Sequence, residues 1–250
     1  VTPFKISVEK AKVLQDFAAA VNVLVDEATL QLTPEGLTAA LMDSSKVALL
    51  NIEYPKTLFS EYNISEAEKI ALNVTELQKH LKRAGKDDKI TIETGKEGKL
   101  TLTIENMLKR RWTLPTLLPD ETTAPTPKVD FTVKAKLSSA ALIQSFEDAA
   151  LAGDFITFKK DGDKLLLTTQ GDLTDADITI PSGSDALLEL SGSEDAKAVF
   201  SLSFLTDIVK AAGTDGVIII EYAQDTPMKL DFVLQEGKME FWLAPRLGCD

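Results

Sequence analysis

At 250 residues, with 44% hydrophobic and 26% charged side chains, the chain has an ordinary folded composition and room for two domains of about 125 residues. Its formal net charge of −12 favours solubility and argues against a general attraction to nucleic acid. No apolar run approaches the roughly 18 residues of a membrane helix, the start lacks a signal-peptide core, and Cys249, the single cysteine, points to a reducing compartment without an internal disulfide.

Residues 4 to 8 alternate as a strand. From Val13 the period changes, and Leu14, Phe17, Ala18 and Val21 fall on one helix face. Strands follow at 28 to 32, 37 to 42 and 47 to 52, separated by the Thr33-Pro-Glu-Gly36 turn and the Asp43-Ser-Ser-Lys46 loop, and residues 55 to 66 read as irregular. A strand at 70 to 73 leads into a second helix with Val74, Leu77, Leu81 and Ala84 inward. Thr75 and Gln78 predict its capping box and Gly85 its stop. Strands at 90 to 93, 100 to 104 and 108 to 114 end the first half.

Residues 114 to 129 hold four of the ten prolines, which predicts an extended, semi-rigid connector. Beyond it come a strand at 131 to 136 and a helix with Leu142, Phe146, Ala149 and Ala150 inward. Strands near 154, 164, 175, 186 and 197 precede a fourth helix, with Leu205, Ile208, Val209 and Ala212 inward and a stop at Gly213. Three strands, starting near 217, 228 and 239, close the chain.

The halves are one design written twice. Lys82, Ala84, Gly85, Asp87, Ile90, Ile92 and Glu93 recur as Lys210, Ala212, Gly213, Asp215, Ile218, Ile220 and Glu221. The spacing exceeds the roughly 20 to 50 residues of solenoid repeats and implies domain duplication. The expected class is α+β, with β-α-β-β-β written twice in each domain and the helices on one face of mostly antiparallel sheet. Expected boundaries are 1–116, a connector at 117–129, and 130–250.

Chemistry is sparse. His80 is the only histidine and has no triad or metal partners in the pattern. No phosphate-binding glycine loop is present, and Asp161-Gly-Asp163 reads as a hairpin turn because it lacks the remaining ligands of a calcium loop. Asp43-Ser44-Ser45 has no neighbouring base and reads as a turn. The reading is a non-enzyme with no catalytic residue, metal or cofactor. What remains is positional: Lys79, Lys82 and Arg83 lie off the apolar face of the second helix, and Lys210 repeats Lys82. Spacing alone leaves these as either a solvated face or a binding surface.

Three stretches carry a family resemblance: Leu41-Met-Asp-Ser-Ser-Lys-Val-Ala-Leu49, Leu77-Gln-Lys-His-Leu-Lys-Arg-Ala-Gly85, and Pro227-Met-Lys-Leu with Phe241-Trp-Leu-Ala-Pro-Arg246. Together they resemble the DNA sliding clamps of the PCNA type over essentially the whole chain, and the ending after Leu-Ala-Pro-Arg resembles archaeal members.

The resemblance implies the DNA-clamp fold in a ring of three chains, a homotrimer or a heterotrimer with related chains, with helices lining a hole through which double-stranded DNA threads. DNA polymerase, clamp loader, nuclease and ligase would dock outside through short peptide motifs, so the function is tethering. The implied location is cytoplasmic and nucleoid-associated, or nuclear in a eukaryote.

By motif, the resemblance implies DNA contact at Lys12, Lys79, Lys82, Arg83 and Lys210. The peptide pocket would comprise Met42, Val47, Leu49, Leu118, Pro227, Trp242, Leu243, Ala244 and Pro245, with Trp242 partly exposed. Subunits would join through Arg110, Arg111 and Trp112 on one edge and Asp175, Asp177, Ile178 and Ile180 on the other. The chain departs from the family where channel cations are usual, with Gln15, Asp16 and Asn22 on the first helix, Gln144 and Glu147 on the third, and Ser203 before the fourth. Two rivals are a damage-signalling clamp of the same shape and an enzyme using Asp120 and Glu121 at the connector.

Overall fold

The computed structural model describes residues 3–120, 125–192 and 196–248. Glu121, with the rest of 121–124, lies outside the described residues. The chain forms two compact units. The first comprises Val1–Ser44, Leu50–Ala124 and Leu234–Met239; the second comprises Ser45–Leu49, Pro125–Val233 and Glu240–Asp250.

In chain order the first half contains β1 (Lys5–Val8), α1 (Lys12–Leu24), β2 (Glu27–Thr33), β3 (Gly36–Met42), β4 (Ala48–Pro55), β5 (Glu61–Asn63), β6 (Glu68–Asn73), α2 (Val74–Leu81), β7 (Lys89–Thr94), β8 (Leu100–Glu105) and β9 (Lys109–Leu114). The second half contains β10 (Val133–Ser138), α3 (Ser139–Ala149), β11 (Phe155–Asp161), β12 (Lys164–Gln170), β13 (Asp175–Pro181), β14 (Leu187–Gly192), β15 (Lys197–Ser201), α4 (Leu202–Ala211), β16 (Val217–Tyr222), β17 (Met228–Phe232) and β18 (Lys238–Leu243).

The duplication is complete at the level of topology. In the first half β5-β1-β7-β8-β9 lie side by side, as do β4-β3-β2-β6. In the second the corresponding orders are β14-β10-β16-β17-β18 and β13-β12-β11-β15, each strand nine places later. The pairings within each half are antiparallel, for example Ile6 with Ile92 and Ala135 with Ile220. The expected irregular stretch 55 to 66 holds one further strand, β5, which is short and pairs through Ile6 and Tyr62.

Each helix buries one stripe. Leu14, Phe17, Ala18 and Val21 of α1 and Val74, Leu77 and Leu81 of α2 are buried. Of these, Leu14, Phe17 and Leu77 meet Leu30, Leu32, Ile70, Leu72 and Leu102 around a residual apolar cavity of about 30 Å³. The second core is more aromatic: Phe158 packs edge-on to Phe146, Phe200 and Tyr222 with ring centroids 5.9 to 6.2 Å apart. Such offset contacts favour aromatic pairs beyond the area they bury.

Three local expectations require correction. The cap of α2 is Asn73, whose side chain accepts from Glu76 N at 2.8 Å, because Thr75 lies inside the helix with its hydroxyl held between Asn22 and Asp26. The helix ends at Leu81, and Gly85 does not take the left-handed backbone that Gly213 (φ +73°) takes after α4. Gln15 Nε2 instead donates to the carbonyls of Leu81 and Ala84, at 2.9 and 3.0 Å, and supplies the partners a glycine stop would have found. Ala150 is exposed as the C-cap of α3, and Ser145 takes a buried place.

Gly36 sits where the chain passes close to itself. A Cβ there would lie 2.2 Å from Tyr54 O, so no larger residue fits.

Candidate functional site

The helix layer of each unit carries the residues with predicted DNA contacts. On α1, Lys12 Nζ donates to both oxygens of Asp16 at 2.9 and 2.7 Å. Burial raises the Asp16 carboxyl above its ordinary range against the pull of Lys12. On α2, Lys79 is paired with Glu76, and this bond lowers the Glu76 carboxyl. Between α3 and α4, Lys210 Nζ lies 3.0 Å from Glu147 Oε1. Lys82 and Arg83 are exposed, and among the described residues no carboxylate lies within ion-pair distance of either. Sequence reasoning flagged Asp16 and Glu147 only as departures. The spacing of Asp16 four residues after Lys12 was an available signal, whereas the pairing of Glu147 with Lys210 joins two helices far apart in sequence.

The subunit-edge candidates lie on two end strands. β9 ends the first five-stranded sheet and β13 ends the four-stranded arrangement of the second unit, so each leaves a row of backbone donors and acceptors without a neighbouring strand among the described residues. Arg111 is exposed on β9, and Asp175 and Asp177 are exposed on β13. Arg110 instead turns inward to Asp88, and Trp112 lies against His80 with ring centroids 5.1 Å apart. Ile178 is half-buried, whereas Ile180 is buried in its own unit.

The peptide-pocket candidates divide. Leu118 is 94% exposed on the connector, which is anchored to the first unit by Leu117 N to Ala71 O at 2.8 Å and Asp120 N to Thr29 Oγ1 at 2.9 Å. Met42 of β3 is half-exposed. In the second unit Ala244 N donates to Val47 O at 2.8 Å, and Met228 is the cross-strand partner of Leu243, so Pro227 stands opposite Ala244. Val47, Pro227, Ala244 and Pro245 thus form a half-exposed apolar strip, underlain by the buried Leu49 and Leu243.

Trp242 is only 6% exposed, contrary to expectation. Its indole Nε1 donates to Glu240 Oε1 at 2.6 Å, and Phe131 covers its face at 5.7 Å between ring centroids. Phe131, which also receives Lys229 over its ring at 5.5 Å, was missed by sequence reasoning; the signal was an aromatic directly after the connector. Lys229 is itself held between Glu221 and Asp231. Burial would lower its ammonium, but the bonds to these two carboxylates keep it above its ordinary value.

Among the described residues no group of three or more His, Cys, Asp or Glu is placed to hold a metal ion. Asp120, one of the two connector carboxylates, sits on a segment tied down by backbone bonds, and Asp161 and Asp163 flank a β11–β12 hairpin turn at Gly162 (φ +58°).

Comparison with known proteins assigns both halves of the chain. Residues 4–116 match the family model for the proliferating cell nuclear antigen N-terminal domain, and residues 126–247 match that for its C-terminal domain. A DNA polymerase sliding clamp from Thermococcus gammatolerans is 31% identical over 246 residues, covering 98% of this chain and 99% of that protein. The crystal structure of PCNA from Thermococcus kodakaraensis superposes with a TM-score of 0.92 at 26% identity, covering 97% of this chain and 100% of the other. A chain of the PCNA2–PCNA3 complex from Sulfolobus tokodaii gives a TM-score of 0.88 at 28% identity, with 97% and 99% covered. A duplicated α+β chain with a helix layer, alike over 97–98% of its length to these proteins and matched in both halves by the family models, belongs to the proliferating cell nuclear antigen family of DNA sliding clamps.

Proposed function

We propose that three copies of this chain, or this chain with related ones, close edge to edge into a ring that encircles duplex DNA and tethers replication and repair enzymes to it. The observation that carries the reading is the opposite charge of two of the open edges: β9 presents Arg111 and β13 presents Asp175 and Asp177. Two different edges of opposite charge make a head-to-tail contact, and a head-to-tail contact that closes gives a cyclic assembly. Covering both edges also removes two templates for aggregation. The heteromeric PCNA2–PCNA3 complex of Sulfolobus tokodaii supports the mixed alternative.

Client peptides dock on the second unit's strip formed by Val47, Pro227, Ala244 and Pro245, and Leu118 and Met42 are separate candidate contacts of the first unit. Extended peptides of this kind gain affinity from an apolar anchor and from backbone bonds to an extended segment. The ring acts by enclosure and positioning and has no catalytic step of its own. It works in the DNA-containing compartment, the cytoplasmic nucleoid of a prokaryotic cell.

Retention on DNA tests this. A loaded ring stays on a closed circle and leaves when the circle is cut to a linear duplex. Equal loss from both forms overturns the proposal, and sedimentation of the purified chain, alone and with related chains, reads the assembly directly.

A further inference from the structure

The cations of the two helix layers are unequally available. Lys12 and Lys79 are paired with Asp16 and Glu76 in the first unit, and Lys210 is paired with Glu147 in the second. Lys210 is also the only Lys or Arg on α3 or α4, which together carry Glu147, Asp148 and Asp207. By contrast Lys10, Lys82, Arg83 and Lys86 are all exposed, and among the described residues none has a carboxylate within ion-pair distance.

These four cations share one end of the α1–α2 pair. Lys12 N donates to Lys86 O at 3.2 Å, and Gln15 Nε2 donates to the carbonyls of Leu81 and Ala84, so the start of α1 is fastened to the 82–86 turn. The opposite end of the same pair carries Asp26 and Glu76, with Thr75 bonded to Asp26 Oδ1 at 2.7 Å. The unpaired cations of the first unit's helix layer therefore gather at one end, where they outnumber the neighbouring exposed Asp87, and the other end, with Glu76 taken up by Lys79, keeps Asp26. The helix layer of the second unit has no unpaired cation among its helices.

We infer that the sugar-phosphate backbone is contacted at one end of the first unit's helix pair, by Lys10, Lys82, Arg83 and Lys86, and that the second unit contributes no net attraction because Glu147 neutralises Lys210. This deepens the encirclement reading and rests on it. An exposed ion pair is weak enough for a phosphate to draw Lys210 away. The released carboxylate would remain on the same face, however, and oppose the phosphate. Each chain thus touches DNA through one of its two similar units.

The salt dependence of binding to a linear duplex by the intact protein tests the assignment, because each phosphate neutralised steepens the logarithmic slope by about 0.9. Lys82→Ala with Arg83→Ala and Lys86→Ala is expected to lower affinity at least tenfold at low salt and to flatten the slope. Lys210→Ala is expected to leave affinity within twofold. Glu147→Gln, which frees Lys210, is expected to raise affinity severalfold and steepen the slope by about one. A Lys210→Ala loss equal to that of the triple variant, or no gain from Glu147→Gln, overturns the inference.

Retention of the wild-type protein on a duplex with both ends blocked separates the two readings. Loss from blocked DNA defeats encirclement, whatever the salt series shows. Retention together with the wrong variant order defeats only the assignment of contacts.

Discussion

Arg110 reaches back from the edge strand β9 to Asp88, its Nη2 lying 3.0 Å from Oδ2, while its Nη1 donates to Arg83 O at 2.9 Å. The same Asp88 oxygen accepts from Gly85 N at 3.1 Å and from Asn106 Nδ2 at 2.8 Å. Arg110 therefore fastens the turn after α2 to the edge, although its neighbour Arg111 faces solvent. Arg110→Ala should lower stability by about 2 kcal/mol, the range for hydrogen bonds to charged groups. Denaturant unfolding of the first-unit transition would show this, and an unchanged midpoint would contradict the fastening role.

Arg111 should behave differently. Arg111→Glu places like charge against Asp175 and Asp177 in the proposed head-to-tail contact, and sedimentation should show a shift towards monomer with the unfolding midpoint little changed. Adding Asp177→Lys should restore assembly. An oligomer indifferent to both changes would remove electrostatics from the joint.

Two of the apolar candidates for client binding, Leu118 and Trp242, separate in the same way. Leu118→Ala, at an exposed site, should change stability by no more than about 0.5 kcal/mol and weaken peptide binding roughly tenfold or more in calorimetry. Trp242→Ala empties a buried site under Phe131 and should cost about 3–5 kcal/mol of stability before any effect on a peptide can be read. A folded, fully stable Trp242→Ala protein would show that the indole is not held as described.

Alkaline pH should expose Tyr62. Burial, helped by Glu35, pushes its phenol up to about 12 from an ordinary value of 10.0. The native chain thus keeps a proton that the unfolded chain loses, so the contribution is present below pH 10 and is lost as pH rises through 12. Tyr62→Phe should flatten stability against pH in that window, at the cost of about 1 kcal/mol for the lost bond to Thr33 O. Ultraviolet difference titration of the tyrosines would report the missing late step.

Periodicity made the helices and nearly all strands readable, because Leu14, Phe17 and Val21, or Leu205, Ile208 and Val209, announce a buried face by spacing alone. The duplication was readable for the same reason. Partner choice was not. Whether Thr75 or Asn73 caps α2 depends on Asn22 and Asp26, which fold brings to Thr75. Gly85 has no need to end a helix whose carbonyls Gln15 already satisfies. Trp242 looked like a surface anchor by motif, and only the placement of Phe131 and Glu240 reveals that it is enclosed. Lys12, Lys79 and Lys210 matched by position, yet a position does not disclose the carboxylate beside it.

β1 lies inside its sheet, with β5 on one side and β7 on the other, and Ile6 meets Ile92. A nascent chain therefore carries its first strand unpaired on one side until the β7 stretch has left the ribosome. Such long-range closure slows folding and leaves apolar edges exposed for longer during synthesis. The counterpart strand β10 waits in the same way for β16, so each chain passes twice through an interval in which chaperone protection matters most.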